Sequence, residues 1–539
     1  MKLTSEGILK KQDWIPSGIQ LPSYSAVQAA EEGKAHPVWV HFGIGNIFRV
    51  FLGGIADDLL ACEALKAGIT AVETFDFDIV DRIYRPYDNL ILSVILHEDG
   101  REDRKVLGSV SEALHGVSSF PQDWDRLRAV FASPSLQMVS FTITEKGYAL
   151  YDTAGGLSAM VQEDFRNGPV SPKHAMCIVT AMLLERFKAG AAPIALVSMD
   201  NCSQNGRLLR EAVLTVAEAW LEAGYVSKDF LSYLQDEHLV AFPWTMIDKI
   251  TPRPSLDVAR RLKESGVEDM DPVLTSRRTY IAPFVNAEGP QYLVIEDSFP
   301  NGRPALEKGR GVYLTDRDTV NRAERMKVTA CLNPIHTALG PCGVVLGYDL
   351  FSDEMQDPDM LLLANRVGYL EGLPVAQNPG ILSPKAFLDE CMQHRFPNPY
   401  LGDTCLRLCT DASQGLGVRF GVTIRSYMEK DGNASCLRGI PLAIACWLRY
   451  MMAVDDAGNP YELAPDPLNE EMCACLKSVR LGHPESVTDQ LNSFLSNENI
   501  LFVNLFEAGI ADEIIRLFKK MLAGPGAVRA TVHTEVTSW

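Results

Sequence analysis

The chain lacks the sequence features that mark several large classes of protein. It has no Cys-x-x-Cys pair and no His-Glu-x-x-His helix, and its 12 cysteines are scattered along 539 residues. That pattern disfavours a zinc site and a disulfide framework, so we predict no metal. Positive charge is scarce: 50 Lys and Arg stand against 69 Asp and Glu, a formal net charge of -19. This balance disfavours nucleic acid or an anionic membrane as a partner.

Long apolar runs are also missing. The first residues, MKLTSEGILKKQDW, have no apolar core of the kind that a signal peptide needs. The run PLAIACWL ends at Arg449 and is much shorter than a bilayer span. We therefore expect a cytoplasmic protein without a membrane partner, and no feature of the sequence defines an oligomeric state.

The length of the chain and a change of pattern along it predict the domain organisation. With 539 residues, the chain exceeds the size at which one hydrophobic core keeps growing. Strand and helix patterns alternate up to about residue 317, and long helical patterns follow. We predict an α/β fold class with a Rossmann-like NAD-binding domain at 1–318 and a mostly α-helical substrate and catalytic domain at 319–539.

A glycine motif near the N-terminus indicates nucleotide binding. The segment 37–45, PVWVHFGIG, is a short apolar run that ends in Gly43-x-Gly45, and helical spacing begins at Asn46. In a strand, turn and helix of this kind, the glycines allow the backbone to approach a pyrophosphate at the helix N-terminus. Phe48 replaces the third glycine of the usual motif, and a purely structural turn is the alternative interpretation.

Acidic residues follow the next strand candidate. The segment 68–77, GITAVETFDF, is predicted as the second strand, with Asp76 as the first candidate and Asp78 as the second for contact with the adenosine ribose. A carboxylate here repels the 2′-phosphate of NADP, so NAD is the expected cofactor. The alternative is that both acids are solvated residues at a strand end.

The segment 324–340, ERMKVTACLNPIHTALG, is the strongest candidate for catalysis. Asn333 and His336 share a helix face, and Pro334 favours Asn333 as the N-cap of a helix that continues to about Tyr348. Near that helix end, the dipole and desolvation both disfavour the ammonium form of Lys327, which can then accept a proton. The alternative is a surface lysine, a cap and a helix histidine.

This segment resembles the polyol-specific long-chain dehydrogenases, the mannitol dehydrogenase family, whose pattern is Glu-x-x-Lys followed by Asn-x-x-His. The matching residues are Glu324, Lys327, Asn333 and His336. The resemblance implies that the lysine is the general acid/base, that the asparagine and histidine hold the reacting oxygen, that the glutamate relays protons and that no metal takes part. Five residues separate lysine from asparagine where the family has four, so a bulge or break before the helix must absorb the extra one.

Further motifs that resemble the family follow in its order over residues 37–425. The glycine motif with Arg49 adds a cofactor contact, and the resemblance assigns Asn201, Asp248 and Arg395 to substrate binding. Two departures are Phe48, where the family has histidine, and Gly415, where it often has lysine.

The family divides between neutral polyols and hexuronates as substrates. Arg395, Lys249 and Arg253 lie in or beside matched motifs and could pair with a substrate carboxylate. We therefore expect reduction of D-fructuronate to D-mannonate with NADH, with mannitol 2-dehydrogenase or tagaturonate reductase as alternatives. An alternative of another class is a non-catalytic protein that senses the nucleotide.

Overall fold

The computed structural model describes residues 1–152 and 155–539. The chain forms two compact units: Met1–Leu96 with Arg101–Asn321, and His97–Gly100 with Arg322–Trp539. The division falls inside the helix Arg317–Met326, close to the predicted boundary at residue 318.

The first unit contains a six-stranded parallel sheet. In chain order its strands are β1 (Trp39–Phe42), β2 (Ile69–Glu73), β3 (Val110–His115), β4 (Met138–Phe141), β5 (Ile194–Ser198) and β6 (Val240–Ala241). They are arranged β3-β2-β1-β4-β5-β6, with every neighbouring pair parallel. This is the doubly wound order of a dinucleotide-binding fold, whose ligand crevice lies where β1 and β4 diverge. The predicted fold class is confirmed.

Apolar residues bury the sheet on both faces. All residues of β1, β2, β4 and β5 are buried, as expected for parallel strands covered by helices. One core joins the sheet to the helices Pro121–Ala132, Ala175–Lys188 and Asn205–Glu222, and a second core joins it to Gly53–Ala61. These layers fix the carboxyl ends of the strands, where the predicted binding residues lie.

Smaller sheets complete the first unit. Ile91–Leu96 pairs with Glu102–Leu107 and with Phe284–Ala287, and Tyr292–Glu296 pairs with Thr245–Asp248 and with Val312–Thr315. A short hairpin joins Val273–Leu274 to Tyr280–Ile281. The remaining α-helices of this unit are Ser5–Leu9, Lys11–Trp14, Ala26–Ala35, Thr144–Tyr148, Ala159–Asn167, Lys228–Gln235 and Leu256–Glu264.

The second unit is helical, as predicted. Its centre is the pair Asn333–Leu346 and Gly439–Tyr450, and every residue of the latter helix is buried. Around them lie Phe351–Glu354, Pro358–Asn365, Pro384–Glu390, Cys405–Leu408, Ala412–Leu416, Val422–Asp431, Asn469–Leu476, Asn492–Leu495, Glu498–Leu501, Ala511–Met521 and Ala527–Thr537.

Several helices contain a π turn, in which one extra residue enters the helical ladder. The π turns are Phe48–Leu52, Val80–Tyr84, Lys327–Cys331, Arg366–Gly372, Cys391–Arg395 and Gly417–Gly421. Such turns occur often at functional sites, and here they carry predicted site residues in both units.

No helix within 1–152 or 155–539 is long and apolar enough to cross a membrane.

Candidate active site

In the glycine turn after β1, a side chain would clash at Gly43 but not at Gly45. Gly43 has φ +88°, and a Cβ there would lie 2.2 Å from the carbonyl oxygen of Thr142, so only glycine fits. A Cβ on Gly45 would meet no atom within 4 Å. Helical backbone begins at Asn46. The turn therefore leaves space above Gly45 for a ligand to approach the backbone, as a dinucleotide pyrophosphate requires.

His41 supports this turn from below. The imidazole is fully buried, with Nδ1 2.6 Å from Ser140 Oγ and Nε2 3.1 Å from the carbonyl oxygen of Gly43. Burial lowers the pKa of His41 to about 3, so the ring is neutral. Phe48 stacks on the ring at 4.3 Å between centroids. The phenylalanine that departs from the family pattern is thus a core residue beneath the turn.

Arg49, the predicted cofactor contact, lies buried in the first unit. Its side chain is 1% exposed and donates to the carbonyl oxygens of Ala282 at 2.8 Å and Pro283 at 2.7 Å. Burial lowers the pKa of Arg49 to about 10. The guanidinium thus bonds to two backbone carbonyls of the first unit, and its contact with the cofactor stays a prediction.

The acid that ends β2 is Glu73, which the sequence analysis missed. The predicted strand continued to Phe77, but the observed strand stops at Glu73. One carboxylate oxygen accepts the amide N–H groups of Thr74, Phe75 and Asp76, and this bonding turns the chain out of the sheet. Burial raises the pKa of Glu73, and these N–H donors oppose that shift. The signal available in the sequence was an acid directly after four apolar or β-branched residues.

Asp76 lies just beyond this turn and has an unused oxygen. Its carboxylate is buried, and Oδ2 accepts the hydroxyl of Thr275 at 2.6 Å. Oδ1 is buried without a hydrogen-bond partner among residues 1–152 and 155–539. Asp78 is half-buried and accepts the amide of Ser276 at 2.7 Å. An unsatisfied buried oxygen needs a donor, and a ribose hydroxyl is one. These observations fit NAD.

The carboxyl end of β5 is built around Asp200 and Asn205. Asp200 accepts the amides of Ile143 and Thr144 and the hydroxyl of Tyr148. Asn205 exchanges bonds with the backbone of Thr245, accepting at 3.0 Å and donating at 3.1 Å. Between them, Asn201 lies exposed at the edge of the sheet, where an α/β fold presents binding groups.

The remaining residues predicted in this unit lie near the strand Thr245–Asp248. Asp248 ends that strand and is 6% exposed. Lys249 is buried, and its ammonium donates to the carbonyl oxygens of Glu288 at 2.5 Å and Gly289 at 3.4 Å. Arg253 is exposed. The pairing of Lys249 or Arg253 with a substrate carboxylate stays a prediction.

In the second unit, Lys327 begins a π turn. The amide of Leu332 donates to the carbonyl of Lys327 at 3.1 Å, a bond five residues long. This π turn lies between the lysine and the asparagine, where a bulge or break was expected to absorb the extra residue. Lys327 is 7% exposed. Glu324 lies three residues earlier, on the preceding helix, and is half-buried.

The helix Asn333–Leu346 begins and ends slightly earlier than predicted. Asn333 is its first residue and not its N-cap, because Leu332 occupies the cap position. Gly347, at φ +85°, ends the helix before Tyr348. Oδ1 of Asn333 is buried and has no hydrogen-bond partner in the described part of the chain. The side-chain oxygen of Asn333 therefore accepts no bond from the helix N-terminus, as that of an N-cap residue would.

His336 lies one turn along the same helix, against aromatic rings. Its ring centroid is 5.0 Å from that of Phe351 and 4.9 Å from that of Phe396. Phe396 directly follows Arg395, which is 3% exposed and stacks over Phe387 at 5.9 Å. The structure thus brings the predicted Arg395 segment to the predicted histidine.

Residues 1–152 and 155–539 contain no group of three or more His, Cys, Asp or Glu side chains that could hold a metal ion.

Comparison with known proteins agrees with this fold. Residues 38–308 match the mannitol dehydrogenase Rossmann domain, and residues 319–511 match the mannitol dehydrogenase C-terminal domain. D-mannonate oxidoreductase of Thermotoga maritima is 48% identical over 538 residues, which cover 99% of each chain.

Two solved structures are similar over nearly the whole chain. Mannitol 2-dehydrogenase of Pseudomonas fluorescens, solved as a ternary complex with NAD and D-mannitol, is 26% identical with a TM-score of 0.70, covering 100% of this chain and 99% of that one. D-sorbitol dehydrogenase in substrate-free form has a TM-score of 0.78 at 24% identity, with coverage of 97% and 99%.

The fold and the matched domains define an oxidoreductase built on a Rossmann sheet with a helical second domain. Within that class, the chain belongs to the mannitol dehydrogenase family.

Proposed function

We propose that this protein is an NAD-dependent D-mannonate oxidoreductase that interconverts D-fructuronate and D-mannonate. The observation that carries the proposal is the relative of that name, which is 48% identical over 99% of both chains. Identity of this extent, without a large gap at either end, supports a common reaction as well as a common fold.

The first unit is proposed to hold the cofactor at the carboxyl ends of β1 and β2. Gly43 and Gly45 admit the pyrophosphate to the helix N-terminus at Asn46. Asp76, with its unsatisfied Oδ1, accepts a ribose hydroxyl, and Asp78 lies beside it. When bound as NADH, the cofactor supplies a hydride to the carbonyl carbon of the ketose acid.

The second unit is proposed to supply the proton and to hold the reacting oxygen. Lys327 donates a proton to the carbonyl oxygen during reduction and takes it back during oxidation. Asn333 and His336, one helical turn apart, donate hydrogen bonds to that oxygen as it gains negative charge. Glu324, one turn before the lysine, returns the proton to solvent.

The resemblance also supports substrate contacts. Asn201, exposed at the carboxyl end of β5, and Asp248, at the end of its strand, are proposed to bind substrate hydroxyl groups. Arg395, whose neighbour Phe396 packs on His336, is proposed as a third contact. The solved mannitol 2-dehydrogenase favours one alternative, oxidation of mannitol to fructose, and tagaturonate reduction is another.

The test compares kcat/KM for fructuronate, tagaturonate and fructose with NADH, followed by the loss of NADH absorbance. We expect fructuronate to be preferred over fructose by about a hundredfold, which corresponds to about 2.7 kcal/mol and is within reach of one charge-assisted pair. A preference for fructose or tagaturonate would identify the alternative substrate. Absence of turnover with all three, while NADH still binds, would favour the nucleotide-sensing alternative.

A further inference from the structure

Arg419 is a half-buried cation for which residues 1–152 and 155–539 supply no carboxylate partner. It lies in the π turn Gly417–Gly421, half-buried, and its Nη1 donates to Thr337 Oγ1 at 2.7 Å. Burial lowers the pKa of the guanidinium. It forms no ion pair with any Asp or Glu of the described ranges. A cation partly withdrawn from water in this way is stabilised by an anionic partner.

Two other arginines of the second unit bond to protein acceptors through more than one nitrogen or through an ion pair. Arg449 is fully buried and donates to the carbonyls of Val454 and Asp455. Arg366 pairs with Glu371 at 2.9 Å. In Arg419, Nε and Nη2 have no protein acceptor in the described part of the chain. Neither atom is fully buried. Nε and Nη2 therefore keep accessible surface, and no acceptor among the described residues uses their hydrogens.

The guanidinium also lies close to the predicted reaction centre. Thr337 directly follows His336 and is one helical turn beyond Asn333, so Thr337 and Asn333 share a helix face. The π turn that carries Arg419 packs against the π turn that begins at Lys327. Thr423 Oγ1, just beyond the first of these turns, donates to the carbonyl of Thr329 in the second at 3.1 Å.

Gly415 makes the space that the guanidinium occupies. A Cβ at position 415 would lie 2.7 Å from Arg419 Nε and 2.8 Å from its Cζ. Gly415 is inside the helix Ala412–Leu416 and has no positive φ, so its backbone does not require glycine. Glycine in a helix is destabilising relative to alanine. The fit against Arg419 accounts for its presence here.

We propose that Arg419 binds the carboxylate of the hexuronate substrate and thereby determines the preference for sugar acids over neutral ketoses. This inference rests on the proposed function. In a six-carbon keto acid, four carbon–carbon bonds separate the carbonyl carbon from the carboxyl carbon, which is about 5 Å in an extended chain. One turn of helix rises about 5.4 Å, so Asn333 and the Thr337–Arg419 pair are spaced for the two ends. The N–H groups at Nε and Nη2 of Arg419 suit a bidentate bond to a carboxylate.

The experiment measures kcat/KM for fructuronate and for fructose in the wild type and in four variants. Arg419→Met removes the charge at similar length, Arg419→Lys keeps the charge without the fork, and Gly415→Ala displaces the guanidinium while leaving it in the chain. Arg425→Met is the matched control, because Arg425 is exposed on the next helix and donates to the carbonyl of Phe502. Binding of NADH is titrated in each.

We expect Arg419→Met to lower kcat/KM for fructuronate by about a hundredfold, mainly through KM, and to change that for fructose by less than about threefold. Arg419→Lys should keep more of the kcat/KM for fructuronate than Arg419→Met does. Gly415→Ala should lose the preference for fructuronate in the same way as Arg419→Met. Arg425→Met should leave kcat/KM for both substrates unchanged, and the affinity for NADH should be the same in all four variants.

The outcomes separate the two proposals. If the wild type does not prefer fructuronate, the proposed function fails and this inference fails with it. If the wild type prefers fructuronate but Arg419→Met lowers kcat/KM for both substrates by the same factor, or leaves the preference for fructuronate intact, only the inference is overturned. If Arg419→Met does not fold, as judged by circular dichroism, Gly415→Ala decides: retained selectivity in that variant overturns the inference.

Discussion

Glu73 Oε2 accepts the amide N–H of Ile44 at 3.4 Å, so the acid that ends β2 is bonded to the backbone between the two glycines of the neighbouring turn. The same carboxylate orders the residues that lead to Asp76. One buried side chain therefore fixes two adjacent parts of the proposed cofactor site.

Glu73→Ala should weaken cofactor binding. Without the carboxylate, the amides of Thr74, Phe75 and Asp76 lose their acceptor, at a cost of about 1–3 kcal/mol for a buried unsatisfied group. We expect the Kd for NADH, measured by fluorescence titration, to rise about tenfold or more. Glu31→Ala, at an exposed acid of the helix Ala26–Ala35, is the control. An unchanged Kd in Glu73→Ala would contradict the structural role assigned to this carboxylate.

Asp76 should favour NADH over NADPH. Its buried carboxylate repels a 2′-phosphate, so Asp76→Ala should narrow the ratio of kcat/KM for the two cofactors by weakening NADH and admitting NADPH. Thr275→Val leaves the charge of Asp76 in place and removes the hydroxyl that donates to it, so this variant should preserve the preference for NADH over NADPH. Equal efficiency with NADPH in the unmodified protein would show that Asp76 does not face the ribose.

Lys327→Ala should abolish turnover while leaving the affinity for NADH almost unchanged. Loss of a general acid/base typically costs two to four orders of magnitude, on the order of a hundredfold to ten-thousandfold in kcat. Lys385→Ala is the comparison, since Lys385 is exposed and pairs with Asp389. If Lys327→Ala kept more than about a tenth of the wild-type rate, another residue would be the proton donor.

Stability should fall in acid partly through His41. Its pKa is about 3 in the folded protein and about 6.5 in an unfolded chain, so the unfolded state binds more protons between these values. The stabilisation is complete above about pH 6.5 and is lost as the pH falls toward 3, by up to about 1.4 kcal/mol per pH unit.

His41→Gln should flatten this pH dependence, measured as the thermal midpoint at a series of pH values. His36→Gln, at an exposed histidine beside Glu32, should leave the slope of the wild type. Equal slopes in the wild type and His41→Gln would mean that other groups cause the acid sensitivity.

The sequence predicts the fold well wherever local pattern and burial agree. The apolar run before Gly43 and the helical second domain are both observed. The assignments of family and NAD are confirmed by the comparisons. Parallel strands are buried on both faces, and such strands are visible as apolar runs in the sequence.

The sequence fails where a side chain overrides the local pattern. Phe77 extends the apolar run of β2, yet Glu73 ends the strand by accepting three amides that a longer strand would use in the sheet. The bonds of Arg49 to Ala282 and Pro283 were also not foreseen, because they depend on chain more than two hundred residues away. The roles of the remaining predicted residues are still predictions.

Arg419 could not have been chosen from the sequence for the same reason. An arginine four residues after a glycine is unremarkable in a helical stretch, and surface exposure is its usual state. Its significance depends on Thr337, which is distant in the chain, and on the missing Cβ of Gly415. Tertiary contacts of this kind have no periodic signal.

The π turn at Lys327–Cys331 affects how related chains can be found and aligned. A search pattern with a fixed spacing between lysine and asparagine would reject this sequence, although regular helix resumes at Asn333. The turn stores the added residue as one wide loop of backbone, so the insertion need not disturb the helix that follows. An alignment of this chain with the family pattern therefore needs a one-residue gap between Lys327 and Asn333.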